Sequence, residues 1–591
     1  MYDIILRGGT LVDGTGGDRR TGDLAIVDGR IAEVGGRISG VARREIDADG
    51  LLVTPGFVDL HSHYDGQVTW DDRIDPSFSN GITTTVMGNC GVGFAPARPK
   101  DRDRLISLME GVEAIPGIVL KEGVPWEWES FPDYLDFLDR RRYSLDIAAL
   151  MPHAPLRVHV MGDRALRHEQ ATAEDIAAMT RQVREAMAAG AFGLSAGRIT
   201  EHVYGDDFAN VPGTFAEHDE LFALADAMAE GGSGIFQLIL LGTVGGFGTG
   251  RDIGREARLA EHRLLEAIAR RTGRPVHYLL QQFDTDPDDW RMMIGETERA
   301  AAEGLDLMAH IASRGFGMMS MLDGYHLFAL KPSYREIAHL PLAERAAAMR
   351  EPGRRARILA EDDVSPAIEP DMILHGMNQL MTALLPGAYC LGDPVNYEPD
   401  ESEAIGPEAE RSGRTPLAVA YDHFADGDGG GIVAFMFFNY SHRNSDHSWQ
   451  LLQNPRTLSS LGDGGAHMRL ISDASMLPYH LSYWARDRVR GPKLPLEAMV
   501  RRITKANADA FGLGDRGELA VGKRADINLI DFDRLRLGQP EMVFDLPAGG
   551  ARLQQGATGI RTTILNGVPT RQEEQDSGAR PGRLIRGMRA H

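Results

Sequence analysis

Cysteine is nearly absent from this chain: Cys90 and Cys390 are the only two among 591 residues. A disulfide framework is thereby excluded as the organising principle, and at most one bridge is left to form. Long apolar runs are missing too. No stretch of about 18 apolar residues occurs and no charged-then-apolar leader follows Met1, so no membrane span is expected and the protein should be cytoplasmic as made. Positive charge is short, with 63 Lys and Arg against 85 Asp and Glu and a formal net charge of −22. That balance argues against a nucleic-acid partner, which needs basic patches to meet phosphates. It speaks to solubility more than to substrate, and it leaves a homo-oligomer open. Composition is otherwise that of a folded protein, 43% hydrophobic and 25% charged. Length alone suggests about four domains, but a barrel absorbs well over about 250 residues, so two fit equally well.

What is present is led by one stretch, Pro55-Gly56-Phe57-Val58-Asp59-Leu60-His61-Ser62-His63-Tyr64-Asp65. It is a short apolar run that ends in two histidines one residue apart. Alternate side chains of a strand share a face, so His61 and His63 leave together and can grip one metal ion. Neutral imidazole is a common zinc ligand, although hydrogen-bonded core histidines are commoner than ligands. The Pro-Gly before the run and the polar sequence after it suit a buried parallel strand delivering its C-terminal end to a site.

Together with Gly81 to Pro96 (GITTTVMGNCGVGFAP) and Leu461 to Met468 (LGDGGAHM), this stretch resembles the amidohydrolase superfamily, and within it the N-acyl-D-amino-acid deacylase (D-aminoacylase) group. The resemblance covers most of the chain. It implies a metal-dependent amide hydrolase of α/β class, on a TIM-like (β/α)8 barrel with a small β-sandwich formed by both termini.

The termini read accordingly. Strands are expected at Asp3 to Arg7, Gly9 to Asp13, Asp23 to Val27 and Arg30 to Val34, with Asp28-Gly29 as a hairpin turn. Glu518 to Asp531 reads as strand-turn-strand and Ile560 to Pro569 as a hairpin, giving sandwich segments at 1–54 and 514–591. Beyond about Thr570 the chain is polar, a loose tail or a contact arm. Barrel strands are expected within 55–513 at 55–61, 81–88, 145–152, 191–196, 233–240, 274–281, 305–311 and 456–462, with long insertions at about 91–144 and 313–455. Thr172 should cap a helix that Gly190 stops.

Cys90 follows the second strand, where it is either a small buried residue or a thiolate donor. The family motif has a cysteine ligand there. Asp463 follows the eighth strand in a Gly-Asp-Gly-Gly turn, and the resemblance implies the catalytic aspartate. An amide needs an activated water and a protonated leaving group. A zinc-like ion lowers the pKa of water towards about 7 and polarises the carbonyl, while Asp463 would take the water's proton and pass it to the departing nitrogen. His467 either hydrogen-bonds the substrate or supports the turn.

The chain departs from its relatives at two ligand positions. Gln237 stands where the fifth strand should carry histidine, and Leu279-Leu280 where the sixth should carry Ser-His; His277 lies three residues upstream, on the opposite face. The six lysines, at 100, 121, 331, 493, 505 and 523, all fall outside the expected strands, so a bridging carboxylated lysine finds no candidate. One zinc ion is therefore favoured over two, held by His61, His63, Cys90 and Asp463, with Gln237 as a neighbour. Arg198 and Arg314 follow strand ends and could clamp a substrate carboxylate or serve as structural ion pairs. His153 and His202 are similar candidates. The expected activity is deacylation of an N-acyl (D-)amino acid; the alternatives are a cyclic-amide hydrolase of the dihydroorotase or hydantoinase sort, and an inactive barrel that binds a ligand or partner.

Overall fold

The computed structural model describes residues 1–205, 207–247, 252–364, 372–471 and 474–587, with no side-chain account for 372–376. Strands occur at all eight expected parallel positions. They hydrogen-bond in three runs: Phe57–Asp59, Ile82–Met87 and Asp146–Ala149; then Met151–Pro152, Gly193–Gly197, Ile235–Ile239, Val276–Leu279, Leu307–Ile311 and Thr457–Ser459; then Leu461–Gly464 with His61–Ser62. Every pairing among them is parallel. Single residues, Leu60, Leu150 and Ser460, interrupt the ladder, so it does not run unbroken around eight strands as the barrel expectation had it.

Helices fill the connections for local reasons. In Ala173–Ala189, the Thr172 hydroxyl accepts from the Asp175 amide at 3.2 Å and the Asp175 carboxylate accepts from the Thr172 amide at 2.9 Å, satisfying two of the four orphan donors. Gly190, at φ 105°, ends it at no steric cost.

Both termini enter one nine-stranded sheet. The strand Leu52–Pro55 lies between Tyr2–Leu11, parallel to it, and Ile527–Ile530, antiparallel to it. Ile4, Leu6, Leu24, Ile26, Val53, Ile527, Leu529 and Ile564 cover one face with a shared core. Two expectations are corrected here and one alternative is decided. The strands at 3–7 and 9–13 are one, Tyr2–Leu11, with a register shift between Leu6 and Gly9 where Gly8 takes φ 69°. Only Ile527–Ile530 of 518–531 is a strand. The tail is the contact arm: Gly582 exchanges backbone hydrogen bonds with Tyr143, and Ile585 donates to Ile147.

The second insertion folds around an antiparallel sheet of Phe316–Ser320, Tyr389–Leu391 and Ile432–Phe438. Among the described residues, no helix is long and apolar enough to cross a membrane.

Candidate metal centre

Strand alternation sorts the first parallel strand. Val58 and Leu60 pack in an apolar cluster with Val86 and Leu150, which leaves Asp59, His61 and His63 on the opposite face. Cys90 arrives from the turn after Ile82–Met87. Its Sγ lies 3.3 Å from His61 Nε2 and 3.7 Å from His63 Nε2. The three donors are buried and lie within 4.8 Å of one another. A tetrahedral zinc with bonds of about 2.0–2.1 Å to nitrogen and about 2.3 Å to sulfur holds those ligands about 3.5 Å apart, so the spacing and the N, N, S donor set fit one such ion. Asp463 Oδ1 lies 3.5 Å from His61 Nε2 and 3.6 Å from His63 Nε2, flanking the imidazoles from outside the compact group of three.

The backbone pays for this convergence with strain. Cys90, Asp463 and His467 take φ of 56°, 45° and 47°, the left-handed region, which costs a non-glycine residue on the order of 1–3 kcal/mol. Gln237 supports one of these turns, its Oε1 accepting from the Cys90 amide at 3.1 Å while its Nε2 stands 3.4 Å from His61 Nδ1. Gly464 must be glycine-like in bulk, because a Cβ there would collide with the Tyr64 hydroxyl.

Burial dominates the electrostatics. It drives His61 well below its ordinary range and pushes the Cys90 thiol up to about 11. A cation at the centre is the charge that would offset this for a thiolate. Burial also pushes Asp463 up, but the neighbouring imidazoles, His63 foremost, outweigh it, leaving the carboxyl lowered to about 2. A carboxyl so lowered is ionised at neutral pH.

One functional candidate went unread in the sequence. Glu113 ends the helix Arg102–Glu113 of the first insertion, is 1% exposed, and places Oε1 3.2 Å from His63 Nδ1 and Oε2 3.9 Å from His467 Nε2. The available signal was an acid on an apolar face, four residues beyond Met109 and eight beyond Leu105. His202 also flanks the centre: burial lowers it to about 3, and His467, His63 and Asp463 are among the charges it feels.

The remaining candidates are engaged elsewhere. Arg198 Nε pairs with Glu261 at 2.9 Å and its Nη1 donates to the Ala216 carbonyl. His153 Nε2 lies 2.7 Å from Glu220. Arg314 is buried with its guanidinium 3.8 Å above the Tyr397 ring and Nη2 3.3 Å from the Ser475 hydroxyl. His277 Nδ1 meets His310 Nε2 at 3.0 Å. Cavity size does not locate the centre, since a cleft of about 770 Å³ is lined by His277, Met308, Thr457 and Arg502 and by none of the four donors.

A sequence profile of the amidohydrolase family matches residues 44–571. The D-aminoacylase of Alcaligenes xylosoxydans xylosoxydans is 28% identical over 592 residues, which span 99% of this chain and 97% of that protein. Among solved structures, the N-acyl-D-glutamate deacylase of Bordetella bronchiseptica, complexed with zinc and a phosphonate inhibitor, aligns with a TM-score of 0.62 at 25% identity, over 99% of each chain. A D-aminoacylase described as having a binuclear metal centre aligns with a TM-score of 0.64 at 23% identity, over 99% of this chain and 100% of that one.

Proposed function

Because the chain belongs to the amidohydrolase family, we propose that it is a metal-dependent hydrolase of linear amides that removes the acyl group from an N-acyl-D-amino acid. The observation that carries this reading is the meeting of His61, His63 and Cys90 within 4.8 Å, with Asp463 beside both imidazoles. The relatives named above act on that substrate class. In this reading His61 Nε2, His63 Nε2 and Cys90 Sγ hold a zinc-type ion and Asp463 borders it. Such an ion, when bound, polarises the amide carbonyl and acidifies water. Asp463 Oδ1 takes a proton from the attacking water and delivers it to the departing nitrogen. One ion is proposed rather than two, because the amide of Gln237 and not an imidazole stands behind Cys90 and His61. The three parallel runs are read as one eight-stranded barrel over 55–513, and the terminal sheet as a small sandwich from 1–54 and 514–591.

The test is hydrolysis of a panel of N-acyl-D- and N-acyl-L-amino acids with zinc present, alongside metal analysis. Asp463→Asn is expected to lower kcat by about 10²–10⁴-fold while the zinc content stays near that of the parent protein. Turnover close to the parent rate would remove Asp463 from this role. A parent protein that binds zinc yet opens hydantoin rings in preference to releasing acyl groups would replace the linear-amide reading.

A further inference from the structure

The first long insertion sends an acid into the centre. Glu113 sits at the C-terminal end of Arg102–Glu113, where the helix dipole disfavours negative charge, and it is 1% exposed. A carboxylate so placed costs several kcal/mol unless positive or hydrogen-bonding groups face it. Two imidazoles do. Glu113 Oε1 lies 3.2 Å from His63 Nδ1, the ring nitrogen remote from Cys90 and Asp463, and Oε2 lies 3.9 Å from His467 Nε2, four residues past Asp463. The 3.2 Å approach is an ion-pair contact without hydrogen-bond geometry, since His63 Nδ1 and Glu113 Oε2 have no hydrogen-bond partner among the described residues, and no other acceptor competes for the ring nitrogen.

We propose that Glu113 is the positioning residue of the metal centre. By facing Nδ1 it favours the tautomer that carries the proton there and leaves the Nε2 lone pair turned to the donors around Cys90 Sγ. Its second oxygen, through His467, ties the same acid to the loop that presents Asp463. A single carboxylate from an insertion thus fixes both a ligand and the proton-transfer group. This rests on the metal-centre reading above.

The test compares Glu113→Ala and Glu113→Gln with the parent for zinc affinity, by competition with a chromogenic chelator, and for the visible spectrum of the cobalt-substituted protein. Melting of each metal-free variant accompanies both. Glu113→Ala is expected to weaken zinc about 10–100-fold and to alter the cobalt spectrum, and Glu113→Gln, which can still accept from Nδ1 without adding charge, to recover part of both. Should the alanine variant fail to fold, the near-isosteric glutamine variant still decides, since it should bind zinc more weakly than the parent. Parent-like affinity and an unchanged cobalt spectrum in the variants would overturn the inference while leaving the centre intact. A parent that binds no ion at all would overturn both.

Discussion

The two long insertions differ in what they pack against. Leu105, Leu108, Met109, Leu120, Phe131 and Leu138 of the first belong to the main core shared with the parallel strands, and from that core Glu113 reaches His63. The second joins that core as well, through Phe316, Met319, Tyr397, Ala434, Phe438 and Tyr440, but its remaining part has a core of its own, in which Leu327, Phe328, Tyr334, Met349, Tyr421, Phe424 and Val433 cluster apart from the main one. A segment continuous with the main core must keep its place for the site to exist. The part of the second insertion with a separate core can loosen, or change its outer face, while the metal ligands stay where they are.

The largest expected effect that tests this contrast is Phe328→Ala. Phe328 is fully buried, 5.0 Å from the Tyr421 ring and 6.0 Å from that of Phe424. Its loss should cost about 3–5 kcal/mol, read as faster amide exchange confined to 313–455, with zinc affinity unchanged. A parallel fall in zinc affinity would break the contrast.

Acid gives the next effect. Burial lowers His326 and His447 to about 3, both within the second insertion, whereas the first contains no histidine. A histidine held below its unfolded value of about 6.5 contributes stability that is whole above that pH and is lost as pH falls towards the folded value, at up to about 1.4 kcal/mol per pH unit for each group. Between roughly pH 6.5 and 4 the second insertion should therefore open progressively, and the first only together with the main core, where burial also lowers His61 and His310. Equal acceleration of exchange in both would show that they are one cooperative unit.

The smallest effect concerns a residue outside both. Arg198→Lys should change KM for N-acyl amino acids by less than about twofold, because the guanidinium is held by Glu261 and the Ala216 carbonyl. A rise of tenfold or more, as expected for loss of a bidentate carboxylate clamp, would make Arg198 a site residue and extend the site beyond the insertion contrast.

These differences follow what a sequence can carry. Local periodicity announced His61 and His63, because alternation alone puts them on one face, and Thr172 and Gly190 announced a helix through capping chemistry. Cys90 and Asp463 were legible through motifs at strand ends. Glu113 was not, since an acid in the last turn of an amphipathic helix reads as solvated until the helix is docked. Arg198 and His153 were placed correctly at strand ends, but their partners Glu261 and Glu220 lie more than a helix away in sequence. The terminal strands were seen, yet neither the merging of 3–7 with 9–13 nor the shrinkage of 518–531 to four residues has a local cause. Pairing partners decided both.

The strand that leads into His61, Leu52–Pro55, is clamped on one edge by Ile527–Ile530, a stretch made nearly a whole chain later. At bacterial or eukaryotic elongation rates of about 5–20 residues per second, the ribosome needs on the order of tens of seconds to supply it. Through that interval the strand that precedes the histidines is an edge with one side unpaired, open to mispairing. Shortening the wait by moving those late strands to the front in a circular permutant should raise the yield of correctly folded protein more than any change near the metal.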